Sequence, residues 1–170
     1  MALQTTPLRT ILQKELYFHL YLKRGSAEPN TDQKTILKSK HPLGFGMLLA
    51  TDWPIYDGRN PRSNLVARLQ GLHAETGKVD EGWHASVTVV FEGQCYKGST
   101  LHLMGTSIGS DEWAIVGGTG EFTLAQGVMY IVDHHDAADA SYAELEFRAL
   151  YTPMKKVPGG NGENSWTLGV

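Results

Sequence analysis

Cysteine is almost absent from this chain: Cys95 is the only one in 170 residues, so no disulfide can form within the chain. Asn-x-Ser/Thr glycosylation sites are missing, and the first ten residues hold no apolar run of the length that a signal peptide needs. Disulfides and N-linked glycans are typical of secreted proteins. Their joint absence predicts a reducing, cytoplasmic location.

Long apolar runs and a strong net charge are also absent. No stretch of about 20 apolar residues occurs, so the sequence predicts no membrane-spanning helix. The formal net charge of -3 creates no overall positive field that would attract nucleic acid or anionic lipid. We therefore expect neither nucleic acid nor a membrane as a partner. With 41% hydrophobic and 19% charged residues, the composition is that of a folded domain.

Amphipathic helical patterns are missing too, and alternation with a period of two takes their place. In Lys14–Arg24 the apolar residues Leu16, Phe18, Leu20 and Leu22 share one face, as in a half-buried strand. Seven further segments with strand character follow: Phe45–Thr51, Asn64–Ala74, His84–Glu92, Ser99–Gly105, Trp113–Val116, Gly127–His134 and Ser141–Thr152. Regularly spaced strands without intervening helices indicate an all-β sandwich or barrel.

Two segments lack this alternation. The polar stretch Gly25–Lys40 predicts a long loop between the first two strands. The glycine-rich segment after Pro153 predicts a flexible tail or an interdomain linker. We therefore expect one β-barrel domain over residues 1–153 and a tail over residues 154–170.

Six short motifs follow one another along the chain: Phe18-His19, Phe45-Gly46, Asp52–Gly58, Leu65–Gly71, Gly98–Gly105 and Val116–Gly127. In this order, over about residues 14–152, they resemble plant dirigent proteins. The resemblance implies an eight-stranded antiparallel up-and-down barrel of the dirigent and allene oxide cyclase type, often a homotrimer, with a pocket at one end. It also implies an activity, since secreted dirigent proteins direct two coniferyl alcohol radicals into one lignan stereoisomer without oxidising the alcohol themselves.

Two positions depart from the coupling members of that family. Where they carry a pocket aspartate after the Phe-His motif, this chain has Leu20, which cannot take up or release a proton. Where they carry an arginine in an Ala-x-Gly motif, this chain has Gln126, a neutral group that can donate and accept hydrogen bonds. The resemblance therefore implies a domain that binds a ligand without turning it over, and we expect no catalytic residue, cofactor or metal.

A small carbohydrate is the ligand that we expect first, because sugar C–H faces stack on aromatic rings and sugar hydroxyls pair with polar side chains. The predicted ligand-binding residues are Phe18, Leu20, Trp53, Asp57, Glu121, Gln126 and Tyr130. Three alternatives stay open. The domain could still direct the coupling of phenolic radicals, it could only tether other proteins as an oligomer, and the tryptophans could simply fill the barrel.

The chain also resembles an intracellular branch of grass dirigent proteins. Its first ten residues show no signal-peptide pattern, and the segment after Pro153 is linker-like, as in that branch. Members of that branch are fused to a C-terminal jacalin-type lectin domain and act in plant defence. The resemblance thus implies a lectin-like defence protein with such a domain in the full-length product.

Several other features have a simpler structural interpretation. Arg68 is predicted to form a structural ion pair or to anchor a loop, and Cys95 to be a buried small apolar residue. Val87 and Val89, or their neighbours, are predicted to face outward, which would require a dimer or trimer. The segment Gly117–Gly120 is predicted as a tight corner, because no helix follows it to hold a phosphate.

The cluster Asp133-His134-His135-Asp136 offers metal-ligand chemistry in sequence only. Neighbouring strand residues point to opposite faces, so His134 and His135 cannot readily converge on one ion. We expect a solvated strand end.

Overall fold

The computed structural model describes residues 12–25, 31–106, 111–135, 141–158 and 164–168. The strands are β1 (Lys14–Arg24), β2 (Gln33–Leu37), β3 (Leu48–Tyr56), β4 (Leu65–Glu75), β5 (Trp83–Phe91), β6 (Thr100–Thr106), β7 (Glu112–Thr119), β8 (Gln126–His135), β9 (Ser141–Tyr151), β10 (Met154–Pro158) and β11 (Asn164–Leu168). A 3-10 turn, Gly120–Phe122, joins β7 to β8. Within these residues no helix is long and apolar enough to cross a membrane.

Eight of the strands close into an antiparallel barrel. Their order is β1-β9-β8-β7-β6-β5-β4-β3, and β1 closes the ring by pairing with β3 through Tyr21–Tyr56 and Leu22–Ile55. Every pairing between neighbouring strands is antiparallel. The predicted eight-stranded barrel is confirmed.

β3 differs from the predicted strand because it changes partners along its length. Its first residues pair with β2, ending at Thr51, and its last residues pair with β1 from Ile55. Pro54 lies between these two pairings, where β3 has no neighbour on that side, so its missing N–H costs no ladder hydrogen bond. The strand therefore runs through the proline and ends at Tyr56, five residues beyond the predicted end at Thr51.

Residues predicted as loop or tail also contain strands. β2 lies within the predicted loop Gly25–Lys40, and that prediction is wrong over these five residues. All five are exposed, so the segment carries no alternation of buried and exposed residues for the sequence to show. β10 and β11 form a separate two-stranded sheet within the predicted tail. The domain boundary at residue 153 stays a prediction.

The barrel interior is filled by alternate residues of each strand. On β5, Ala85, Val87, Val89 and Phe91 are buried, whereas Ser86 on the other face is exposed. Val87 and Val89 therefore face inward and not outward, whereas their neighbour Val90 lies on the outer face and is partly exposed. From Ala85 to Val90 both faces of this strand carry small or β-branched residues, so that stretch alone does not reveal which face is inside.

In an up-and-down barrel, alternate loops share one end. The β3–β4 loop (57–64), the β5–β6 loop (92–99) and the β7–β8 connection (120–125) therefore lie together. We call this the pocket end. The β4–β5 loop (76–82) lies at the opposite end.

Candidate functional site

A cavity of about 570 Å³ opens at the pocket end of the barrel. Phe18 and Leu20 of β1 line it, together with Asp57 and residues of the β5–β6 loop. This volume lies within the range of small-molecule sites. Three of the seven predicted ligand-binding residues, Phe18, Leu20 and Asp57, thus line the same cavity.

Aromatic rings form the floor of the cavity. The Phe18 ring centroid lies 5.7 Å from that of Phe91, 5.6 Å from that of Tyr96 and 6.0 Å from that of Phe122. These distances are those of favourable aromatic pairs. Phe122 is 1% exposed and anchors the cluster in the core, while Phe18 is only partly buried and faces the cavity.

Backbone hydrogen bonds hold the β5–β6 loop against β4 and so present Tyr96 to the cavity. The N–H groups of Glu92 and Gly93 both donate to the Val66 carbonyl, at 3.0 and 3.1 Å. Gly98 has a φ of +82°, which a glycine adopts without strain, and its N–H donates to the Phe91 carbonyl. Tyr96 was not predicted from the sequence because it lies between strands, where its only signal is an aromatic residue inside a glycine-containing turn.

Polar groups lie at the rim of this apolar cavity. The Asp57 carboxylate accepts hydrogen bonds from the Asn64 side-chain amide and the Asn64 backbone N–H, both at 2.8 Å. These hydrogen bonds lower the pKa of Asp57, so the group is ionised at neutral pH. Asn64 and Glu92 also line the cavity. The rim can therefore accept hydrogen bonds from hydroxyl groups of a ligand.

Glu121 lies beside this aromatic cluster, on the 3-10 turn. Its N–H donates to the Ser99 hydroxyl at 3.0 Å. Burial raises the pKa of Tyr151, and the neighbouring Glu121 carboxylate raises it further. The structure thus places Glu121 next to Tyr151, a core residue, rather than among the residues that line the cavity.

Gln126 and Tyr130 lie on the outside of the barrel. Met129 and Ile131 of β8 are buried, so the residues that alternate with them point outward. Gln126 is exposed and borders a shallow surface groove with Tyr17. A hydrogen bond to Glu112 raises the pKa of Tyr130. Their predicted place in the cavity is wrong, because β8 carries apolar residues on both faces and its sequence hides its orientation.

Trp53 packs inside the barrel, away from the cavity. It is 6% exposed, its ring lies 5.0 Å from that of His73, and the Arg24 guanidinium carbon lies 4.9 Å from its centroid. Trp113 lies 5.9 Å from His73 on the other side. Both tryptophans therefore fill the barrel, the alternative left open by the sequence.

Two simpler predictions have opposite outcomes. The Arg68 side chain donates to the Asp52 carboxylate at 2.6 Å, which confirms a structural ion pair. Cys95 is exposed at the cavity rim, so its predicted burial is wrong.

The structure also tests part of the predictions for the glycine-rich corner and for the histidine cluster. Gly120 makes the corner with a φ of +64°, while Gly117–Thr119 belong to β7. His134 stacks on Tyr142 with ring centroids 4.8 Å apart. The His135 side chain and Asp136 lie outside the described residues. Among the described residues, no three histidine, cysteine, aspartate or glutamate side chains are grouped as metal ligands.

Comparison with known proteins places this geometry in context. The family model described as Dirigent-like protein matches residues 14–150. Dirigent protein 23 of Arabidopsis thaliana is 30% identical over 128 residues, covering 74% of this chain and 68% of that protein. Pterocarpan synthase 1 of Glycine max is 34% identical over 105 residues, covering 59% of this chain. The chain spans 53% of that relative's length, about half.

Solved structures agree with the barrel. The pterocarpan synthase dirigent protein GePTS1 has a TM-score of 0.76 at 23% identity, covering 88% of this chain and 99% of that one. The pterocarpan synthase dirigent protein PsPTS1 has a TM-score of 0.69 at 25% identity, covering 81% of this chain and 95% of that one. These likenesses establish a shared fold.

Proposed function

The chain belongs to the dirigent family, and from that premise we propose that it binds one small phenolic compound in the cavity above Phe18. The observation that carries the proposal is an aromatic floor combined with an ionised carboxylate at the rim. A planar ring stacks on the floor, and a phenolic hydroxyl donates to Asp57. The protein holds this ligand and does not oxidise it.

Leu20 supports a binding role without proton transfer at that position. Its apolar side chain lies in the cavity, where it contributes contact area and has no proton to exchange. Relatives bear the name pterocarpan synthase, so some members of the family are named for a reaction. For this chain we propose guidance of a phenolic ligand at most, with no cofactor.

A small carbohydrate is the second candidate. Four polar side chains along one rim, those of Asp57, Asn64, Glu92 and Gln94, offer several partners for sugar hydroxyls. Stacking would use Phe18 and Tyr96 instead of Trp53. This candidate would fit the jacalin-related, lectin-like defence protein inferred from the sequence.

Isothermal titration calorimetry with coniferyl alcohol, galactose and glucose tests these candidates. We expect coniferyl alcohol to bind and Asp57→Asn to weaken it about tenfold, as for loss of a hydrogen bond to a charged group. Gln126→Ala, outside the cavity, is the matched control and should bind normally. Binding of a sugar alone would favour the second candidate. Binding of neither would leave only an oligomeric tether.

Guidance of radical coupling needs a separate experiment. Coniferyl alcohol is incubated with a one-electron oxidant and the protein, and the products are resolved by chiral chromatography. An excess of one enantiomer that Asp57→Asn abolishes would support guidance. A racemic product with ligand bound would leave binding alone.

We also propose that the protein is a cytoplasmic homodimer or homotrimer. Leu72, Met104 and Val116 on the outer faces of β4, β6 and β7 are 45%, 42% and 50% exposed. Apolar side chains so placed are typical of a subunit contact. Sedimentation equilibrium at micromolar concentration should give two or three copies, and a monomer would remove this proposal.

A further inference from the structure

We propose that Arg59 is a positioning residue that fixes one wall of the ligand cavity by holding the β3–β4 loop against the outside of the barrel. We use the term Arg59 latch for the contacts that Arg59 makes with Glu144, Tyr21 and Tyr142. The effect on ligand binding rests on the proposed function, whereas the latch itself can be measured without any ligand.

The β3–β4 loop is closed at its neck, and the neck lines the cavity. The Asp57 N–H donates to the Asn64 carbonyl at 3.1 Å, and the Asp57 carboxylate accepts from the Asn64 backbone N–H. Both residues line the cavity, and Leu65 follows them. Any movement of this loop therefore moves part of the cavity wall.

Arg59 reaches from the loop to the outer face of β1 and β9. Its guanidinium forms an ion pair with Glu144. The guanidinium carbon lies 5.0 Å from the Tyr142 ring centroid and 5.6 Å from that of Tyr21. Tyr21 and Glu144 are direct partners across β1 and β9, so one cation contacts both strands. A planar guanidinium can pair with a carboxylate and stack on a ring at once.

The groups that receive Arg59 are themselves held in place. His19 Nε2 lies 3.1 Å and His134 Nε2 3.3 Å from the Glu144 carboxylate. His134 also stacks on Tyr142, with an angle of 12° between the rings. The receiving surface therefore spans three strands, β1, β8 and β9, and Arg59 meets a preorganised site.

A second cation holds the same loop from the barrel side. Lys23 Nζ lies 3.4 Å from the Asn60 carbonyl and 4.3 Å from the centroid of Tyr56, the last residue of β3. The loop tip is otherwise exposed at Asn60 and Arg62. Two cation contacts on an exposed loop thus fix its position relative to the cavity.

The loop supplies its own control. Arg62 has the same charge on the same loop and makes no ion pair within the described part of the chain. Arg59→Ala and Arg62→Ala remove the same group from neighbouring positions. Arg59→Lys keeps the charge but loses the planar fork, so it should have an intermediate effect.

Hydrogen–deuterium exchange of the free protein tests the latch directly. Peptides covering residues 57–64 include the Ser63 N–H, bonded to the Asn60 carbonyl, and the Asn64 N–H, bonded to Asp57. We expect Arg59→Ala to speed exchange in these peptides about fivefold, as for loss of a partly exposed ion pair with cation–π contacts. Unchanged exchange relative to Arg62→Ala would overturn the proposal.

Fluorescence titration with N-phenyl-1-naphthylamine, a neutral apolar probe, tests the effect on the cavity. We expect Arg59→Ala to weaken probe binding by a similar factor of about five and Arg62→Ala to leave it unchanged. Faster loop exchange with unchanged probe affinity would overturn the role of the latch in the cavity. Failure of coniferyl alcohol to bind would sink the phenolic function alone, since both readouts here are independent of it.

Discussion

His73 shows what burial does to a single titratable residue. Its side chain packs between Trp53 and Trp113 and the residue is 8% exposed. Burial, and then the nearby Arg24 guanidinium, lower the pKa of His73 from 6.5 to about 4. The folded protein therefore keeps this histidine neutral under conditions in which the unfolded chain has protonated it.

Because the pKa of His73 is lower in the folded protein than in the unfolded chain, the free energy of unfolding depends on pH. As the pH falls from 6.5 to about 4, the unfolded chain binds a proton at this position and the folded protein does not. The free energy of unfolding should then fall by roughly 3 kcal/mol across that window, the full contribution being present only above it. Urea denaturation at several pH values measures the slope. His73→Gln should flatten it, and an equal slope in both proteins would assign the effect to another group.

Single residues also show which parts of the candidate site could be predicted from the sequence and which could not. Phe18, Leu20 and Asp57 line the cavity, and the resemblance to dirigent proteins was what placed Phe18 and Leu20 there. Gln126 and Tyr130 were predicted in the pocket as well but lie outside the barrel, because apolar residues on both faces of β8 leave two orientations compatible with the pattern.

At the scale of elements, the turn between β4 and β5 depends on a buried carboxylate. Glu75 is 1% exposed, and its Oε1 accepts the N–H of Gly77 at 2.8 Å and the N–H of Gly82 at 2.6 Å. Both donors belong to the turn, so one side chain orders the connection between two barrel strands. A glutamate at a strand end is usually solvated, so the local pattern does not indicate this burial.

Removal of the Glu75 carboxylate should strongly destabilise the turn between β4 and β5. We expect Glu75→Ala to lower the free energy of unfolding by about 3 kcal/mol, since two N–H groups of the turn lose their acceptor. Glu75→Gln keeps an oxygen and should cost less. Glu81→Ala removes an exposed carboxylate from the same turn and is the control. Urea denaturation compares the three, and equal stability of Glu75→Ala and Glu81→Ala would contradict the role of Glu75.

Strands were predictable where one face is buried and the other is wet. β1 was predicted with its observed bounds, because four apolar residues alternate with polar ones. β2 was missed because all of it is exposed, and the strand exists through its ladder with β3. Strand pairing at long range, unlike alternation, leaves no local signal in the chain.

At the scale of the whole molecule, the two ends of the barrel interior have different chemistry. The pocket end has phenylalanine and tyrosine rings around an open cavity. Toward the other end, Trp53 and Trp113 both pack against His73. The order of motifs along the chain was enough to predict the family and the closed barrel. The division between the two ends depends on packing between strands and could not be read from spacing.

The same view of the whole molecule gives a test of the domain boundary predicted at residue 153. β10 and β11 pair with each other in a separate sheet, while Tyr151 is 8% exposed and its ring lies 5.4 Å from that of Phe122. A chain of residues 1–153 should therefore keep its free energy of unfolding within about 1 kcal/mol of the full chain, as for changes outside a core. A chain ending at Ala149 loses the Tyr151 ring and should lose about 3 kcal/mol or more. Urea denaturation decides, and a large loss in the 1–153 chain would place the hairpin inside the domain.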